Sequence, residues 1–176
     1  MNLEELFYFR RSTRKYHPEQ IKEEDLQKII DAALTAPLAM GNHQKTHLTV
    51  VQDEELLDAM RLCCQTESRK NPGTMLDAFH GAPTVIFVST GSVSDDHIEF
   101  CDAACIIENM ILEATNLGLG SCYIWGCLPK LKANKDLMKK LNLPEGHEIM
   151  SGFICGYPVK PLYARDKKES FTVTRI

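Results

Sequence analysis

The stretch from Thr84 to Trp125 decides the fold. It opens with Thr84-Val85-Ile86-Phe87-Val88, continues through the apolar segment 96–117, and closes with Cys122-Tyr123-Ile124-Trp125. The first run is continuously apolar between Pro83 and Gly91, the mark of a short strand buried on both faces. Segment 96–117 carries Cys101, Ala104, Cys105, Ile107, Met110, Ile111, Ala114 and Leu117. A helix this apolar lies deep in a core or at a subunit interface. Gly118 and Gly120 end it, and a second short strand follows through Trp125. Strands alternating with helices imply an α/β or α+β sandwich with helices on both sides of a sheet.

The flanking sequence extends the same alternation. Leu26, Ile29, Ile30, Ala33 and Leu34 recur at steps of three and four, which predicts an amphipathic helix over 23–35. Glu23, Glu24 and Asp25 complement its dipole, and Pro37 stops it. A strand is expected at Leu48-Thr49-Val50-Val51, a helix over 54–63, a last helix over 134–141 and a last core strand from Glu148 to Cys155. Leu3, Leu6, Phe7 and Phe9 predict a short opening helix over 2–10. Residues 65–80 offer only a turn signal, Asn71-Pro72-Gly73. The polar C-terminal twenty residues are too poor in apolar content to build an element alone. They are expected to be disordered or to lie over another surface, such as a partner subunit.

Composition narrows the class. The chain has 176 residues, 44% hydrophobic and 25% charged, which fits a single domain spanning 1–176. A net charge of −4 and the lack of interleaved basic and aromatic residues disfavour nucleic acid. No apolar run is long enough to span a bilayer, and a polar amphipathic segment follows Met1, so a cytoplasmic location is expected. The seven cysteines are odd in number, form no Cys-x-x-Cys pair and have no histidine at zinc-finger spacing. They read as free thiols, with no metal site.

Against the acidic balance stands Arg10-Arg11-Ser12-Thr13-Arg14-Lys15. Four cations in six residues, with two hydroxyls between them, are what a phosphate monoester needs: planar guanidinium forks and short neutral donors at close range. The alternative is a solvated basic turn. No nucleophile elbow, P-loop or dinucleotide-fold glycine triplet is present, so a protein-borne catalytic group is not indicated.

The order of motifs across nearly the whole chain is more specific than any one of them. Arg-Arg-Ser-x-Arg follows a first helix, and an Ala-Pro helix end leads to Gly41-Asn42-His43-Gln44 and a Val-Val strand. Leu-Gly-Leu-Gly-Ser-Cys ends the long helix, and Leu-Pro-Glu-Gly precedes a strand and Gly-Tyr-Pro. This series resembles the FMN-dependent nitroreductase family. The resemblance implies a three-layer α/β/α sandwich of the α+β class around a mixed, mostly antiparallel sheet. It also implies a homodimer with FMN at the subunit interface and a C-terminal tail extending over the partner.

By the same resemblance, Arg10, Arg11, Ser12 and Arg14 match the motif that holds the FMN phosphate and ribityl chain. Asn42 and Gln44 match a loop beside the flavin, often supplied by the other subunit. Ile124, Trp125 and Gly126 match the segment along the isoalloxazine ring, and Arg165 and Lys167 match cations that return to the phosphate. The implied activity is an NAD(P)H oxidoreductase. NADH or NADPH reduces FMN, and a nitroaromatic, quinone or enone then takes the electrons in a ping-pong cycle. Relatives with other flavin roles (dehalogenation, flavin fragmentation, sensing) share the resemblance, and a flavin-free anion-binding module is the remaining alternative. One departure is local: Lys45-Thr46 stands where the family often has Pro-Trp.

Overall fold

A computed structural model describes residues 1–166 and 171–176. Its centre is a four-stranded sheet in the order β1-β4-β6-β5, formed by Thr46–Val51 (β1), Thr84–Thr90 (β4), Gly120–Ile124 (β5) and Glu148–Gly156 (β6). The ladders between these strands are all antiparallel. A parallel component comes from the opening run, where Ser12 bridges Ser121. The sheet is therefore mixed and mostly antiparallel. A separate two-stranded hairpin, Thr66–Glu67 (β2) with Met75–Leu76 (β3), occupies the segment whose pattern was unreadable.

Alternation along β4 divides the core into two layers. Ile86 and Val88 pack with helices α2 (Glu23–Leu34) and α4 (Ile98–Asn116) on one face. Val85 and Phe87 pack on the other with α3 (Glu54–Cys63), α5 (Leu128–Ala133) and α6 (Lys135–Lys140). All seven residues of β4 are buried, as its unbroken apolar run requires. The molecule is a three-layer sandwich with helices on both faces. Among the described residues no helix is long and apolar enough to cross a membrane.

Local chemistry sets the helix starts. Asn2 and Glu5 form a reciprocal capping box on α1 (Leu3–Phe9), and the Asp53 carboxylate caps α3 through the amide of Leu56 at 2.8 Å. Three expectations need correction. The helix expected over 134–141 is the second of two, because Asn134 leaves helical geometry and caps α6 with its side chain. Cys101 and Ala104 are exposed, so α4 is not apolar-buried all round. Leu34, placed on the core face of α2 by its spacing, is 61% exposed. Leu3 and Phe7 of α1 are exposed as well, and α1 contributes no buried residue to either core layer.

Gly152 joins β4 and β5 across β6. A Cβ there would stand 2.7 Å from Ile124 Cγ1 and 3.2 Å from Phe87 Cδ1, which is too close for unshifted packing. Gly152→Ala is expected to lower stability by about 1–3 kcal/mol through overpacking, measured as a reduced denaturant midpoint at an unchanged slope.

Candidate cofactor site along the edge of the sheet

The opening run is held to the outer edge of β5. Arg10 closes α1 with its amide on the carbonyl of Leu6 at 3.0 Å, in extended geometry. Three residues on, the amide of Thr13 donates to the carbonyl of Ser121 at 2.7 Å. The approach is close enough that a Cβ at Gly120 would lie 2.7–2.9 Å from the Thr13 side chain, so glycine is required there. The Tyr16 hydroxyl donates to the Thr13 carbonyl at 2.7 Å, and burial pushes that phenol well above its ordinary range. Behind the run, the amides of His17 and Val159 donate to the carbonyls of Tyr157 and Lys15.

These bonds enclose a cavity of about 300 Å³ lined by residues 11–15 and 160–163. The Arg11 guanidinium lies 3.8 Å from the centroid of the Tyr163 ring, a stacking that holds the plane of the fork. Arg11 Nη1, in the lining of this cavity, and Ser121 Oγ, on the strand beside it, are buried with no hydrogen-bond partner among the described residues. Native proteins rarely leave such atoms unpaired unless something else satisfies them. His80 also belongs to this region. Burial and the nearby charge of Arg14 hold its imidazole below the ordinary 6.5.

Arg165 comes back to the same place. Its amide donates to the carbonyl of Tyr8 at 2.9 Å and its Nη2 to the carbonyl of Phe7 at 3.3 Å. A cation on the last carbonyls of α1 complements the negative end of that helix. Lys167 lies outside the described residues. The segment 161–166 thus folds over its own chain's opening run.

Ile124, Trp125 and Gly126 lie at the other end of β5. Ile124 is buried, whereas Trp125 is 51% exposed and leans edge-on against Phe100 of α4 at 5.3 Å. Trp125 is therefore a surface aromatic rather than a core anchor. A Cβ at Gly126 would meet nothing within 4 Å, so the backbone there borders open space. Ladder alternation turns the backbone N–H and C=O of residues 121 and 123 outward, as the bond received by the Ser121 carbonyl shows, whereas the Trp125 carbonyl accepts from the amide of Leu128 at 3.0 Å.

Asn42 and Gln44 are exposed, in a loop of two short 3₁₀ turns, Ala39–Gly41 and His43–Lys45. The Asp102 carboxylate of α4 fastens this loop through the amide of Ala39 at 2.8 Å. The loop enters β1, at the opposite edge of the sheet from β5. Three strand spacings, roughly 14 Å, separate those edges. Both the loop and Trp125 lie at the same end of the sheet, because Thr46 pairs with Thr90, Thr90 with Glu148, and Ile124 with Gly152 of that strand. One chain therefore brings Arg10, Arg11, Ser12, Arg14 and Arg165 together and carries Ile124–Gly126 on the same edge. It does not bring Asn42 and Gln44 to them. Ser121, Tyr163, Lys160 and His80 join the cationic end unannounced. Tyr163, two residues from Arg165, was the nearest to a legible signal.

Comparisons with known proteins agree with this architecture. The sequence profile described as the Nitroreductase family matches residues 8–157. A protein of Archaeoglobus fulgidus with the provisional name NADH dehydrogenase/NAD(P)H nitroreductase is 34% identical over 169 residues, covering 93% of this chain and 90% of that protein. The crystal structure of a Bacteroides fragilis nitroreductase with bound FMN superposes with a TM-score of 0.81 at 27% identity, covering 100% of both chains. An FMN-dependent nitroreductase of Clostridium difficile gives a TM-score of 0.77 at 28% identity, covering 97% of each. The chain belongs to the nitroreductase family.

The charge of Arg14 is one cause of the lowered His80 pKa, after burial. A base with a lowered folded pKa binds fewer protons than its unfolded counterpart, so its destabilising effect is absent above pH 6.5 and grows as pH falls below it. Arg14→Ala is expected to move the His80 titration back toward 6.5, read by NMR of the ring protons in the absence of added phosphate. An unchanged midpoint would mean that burial acts alone.

Proposed function

We propose that the chain is an FMN-dependent NAD(P)H oxidoreductase acting on a small organic acceptor such as a nitroaromatic, quinone or enone. The observation that carries this reading is the buried, unpartnered Nη1 of Arg11, held over Tyr163 within a cationic cavity at the start of β5. β5 covers about 13 Å from Gly120 to Ile124, with Trp125 and Gly126 following it, an edge along which a flavin mononucleotide can lie from phosphate to ring. The residues present fit the group. The phosphate end has guanidinium donors and two hydroxyls, Ser12 and Ser121, and the ring end has open space and outward-facing backbone.

In this reading Arg11 and Arg14 neutralise the phosphate and Ser12 donates to it, while Arg10 lies beside them at the end of α1. The Tyr123 N–H and C=O, on the outer edge of β5, offer a donor and an acceptor to the rim of the ring, which is how a protein tunes flavin electronics. Ile124 walls the inner side, and Trp125 with Gly126 borders the open face. Bound FMN supplies the redox chemistry, taking hydride from the nicotinamide and giving electrons to the acceptor in alternate half-cycles. The ping-pong order follows from one open face serving both reactants in turn.

The reading includes a homodimer. Leu3, Phe7 and Leu34 are 67%, 50% and 61% exposed, a larger apolar display than a short helix beside a core needs. Asn42 and Gln44 reach the ring only if a second copy delivers them, since their own chain's ring segment lies across the sheet. Phe171 and Val173, 95% and 74% exposed, are apolar residues for the partner's surface in the same reading.

The purified protein is expected to be yellow, with the absorbance of bound oxidised flavin bleaching on addition of NADH or NADPH. A colourless protein that takes up no FMN overturns the assignment, and a yellow one that neither nicotinamide reduces overturns the proposed activity. Arg11→Ala and Arg14→Ala are each expected to weaken FMN binding by about 1–3 kcal/mol, or about fivefold to 150-fold in Kd, measured by fluorescence titration of the apoprotein. Equal affinity in both variants would return the run to a surface turn.

A further inference from the structure

Three thiols meet where the end of α3 packs on the start of α5. Cys64 closes α3 and is fully buried, and Cys127, just before α5, is 4% exposed. Cys64 Sγ lies 3.7 Å from the carbonyl of Cys127 and donates to it, which sets the two cysteines against one another. The neighbouring Cys64 thiol lowers the pKa of Cys127, and the Cys127 thiol together with burial raises that of Cys64, while Cys63 lowers it. A thiolate stabilised by a neighbouring thiol is the nucleophilic half of a dithiol pair. Cys63 is beside them but otherwise engaged: its Sγ donates to the carbonyl of Lys130 at 3.7 Å and accepts from Asn134 Nδ2 at 3.6 Å.

Access comes from the neighbouring residue. Gly126 is exposed, and a Cβ on it would meet nothing within 4 Å. A small oxidant therefore approaches Cys127 past a residue with no side chain. Cys122, on the far side of Trp125, has no comparable thiol contact among the described residues.

We propose that Cys64 and Cys127 are a redox-active dithiol that closes to a disulfide when a hydroperoxide serves as oxidant. The Cys127 sulfur attacks one peroxide oxygen and the O–O bond breaks. The departing oxygen leaves as water, or as an alcohol from an organic hydroperoxide, and Cys127 becomes a sulfenic acid. The Cys64 sulfur then attacks the Cys127 sulfur, the S–O bond breaks, and the expelled hydroxide takes the Cys64 proton as water. Two thiols lose two electrons, which reduce one peroxide. The new bond ties the end of α3 to the residue that follows Trp125 and Gly126. Because Gly126 also borders the ring in the FMN reading, the oxidation is tested both with and without added FMN.

The test begins with the reduced full-length protein and hydrogen peroxide, followed by alkylation and mass spectrometry of a non-reduced digest. The expected result is a peptide pair joined through Cys64 and Cys127. The thiol count in denaturant falls from the seven of the sequence by two, and dithiothreitol restores it. Cys63→Ser retains the link. In the Cys63→Ser/Cys64→Ser double variant, which leaves no neighbouring sulfur to close the bond, Cys127 is expected to accumulate as a sulfenic acid trapped by dimedone. A count that stays at seven, or a link through Cys63, overturns the proposal from the wild-type protein alone.

Discussion

Thr13 rests on the bare backbone of Gly120, and its amide reaches the carbonyl of Ser121 at 2.7 Å. The rest of the site depends on this contact. It converts the last edge of the sheet into a platform and fixes a run of cations at one end of a strand whose other end opens to solvent. A side chain at position 120 would displace the run, and with it the Arg11 fork, the Tyr163 stack and the segment from Tyr157 to Arg165 that closes over them. The site is thus a consequence of how a first helix hands its chain to a sheet edge.

The cationic end also shows why a cluster of like charges can persist in an acidic protein. Arg165 is partly neutralised by the carbonyls at the end of α1, Arg11 by the face of an aromatic ring, and His80 by remaining uncharged. Each device removes some repulsion without supplying an anion. Arg11 Nη1 and Ser121 Oγ remain unpaired, and a desolvated donor without a partner is costly. An oxyanion seated there would relieve that cost, which is why the same cluster that burdens the chain alone favours binding.

Much of the fold was legible because its elements announce themselves locally. The continuous run of β4 and the three-and-four spacing of α2 reflect burial on two faces and on one face. Legibility failed where packing overrode pattern. Leu34 and Ala104 are apolar by type yet exposed, because nothing among the described residues covers the faces that bear them. The break at Asn134 was invisible because its cause is a side chain capping the next helix. At the candidate site, Arg10, Arg11, Ser12 and Arg14 stand out in the sequence as a charged run, and Arg165 enters through the family resemblance. Tyr163, His80 and Ser121 do not stand out, since stacking, proximity and a missing partner leave no periodic trace.

The sequence alone determined the layer order, the strand-and-helix alternation and the ordered motifs that identify the nitroreductase family. These depend on hydrophobic period and on residue types close together in the chain. Tertiary structure alone decided that Ser12 lies beside Ser121, that Arg11 stacks on Tyr163, that Cys64 meets Cys127, and that Asn42 and Gln44 stand across the sheet from Trp125. Those pairings are set by strand order and by helices closing on a shared core. Residues far apart in the chain come into contact through that packing, and their separation along the sequence carries no record of it.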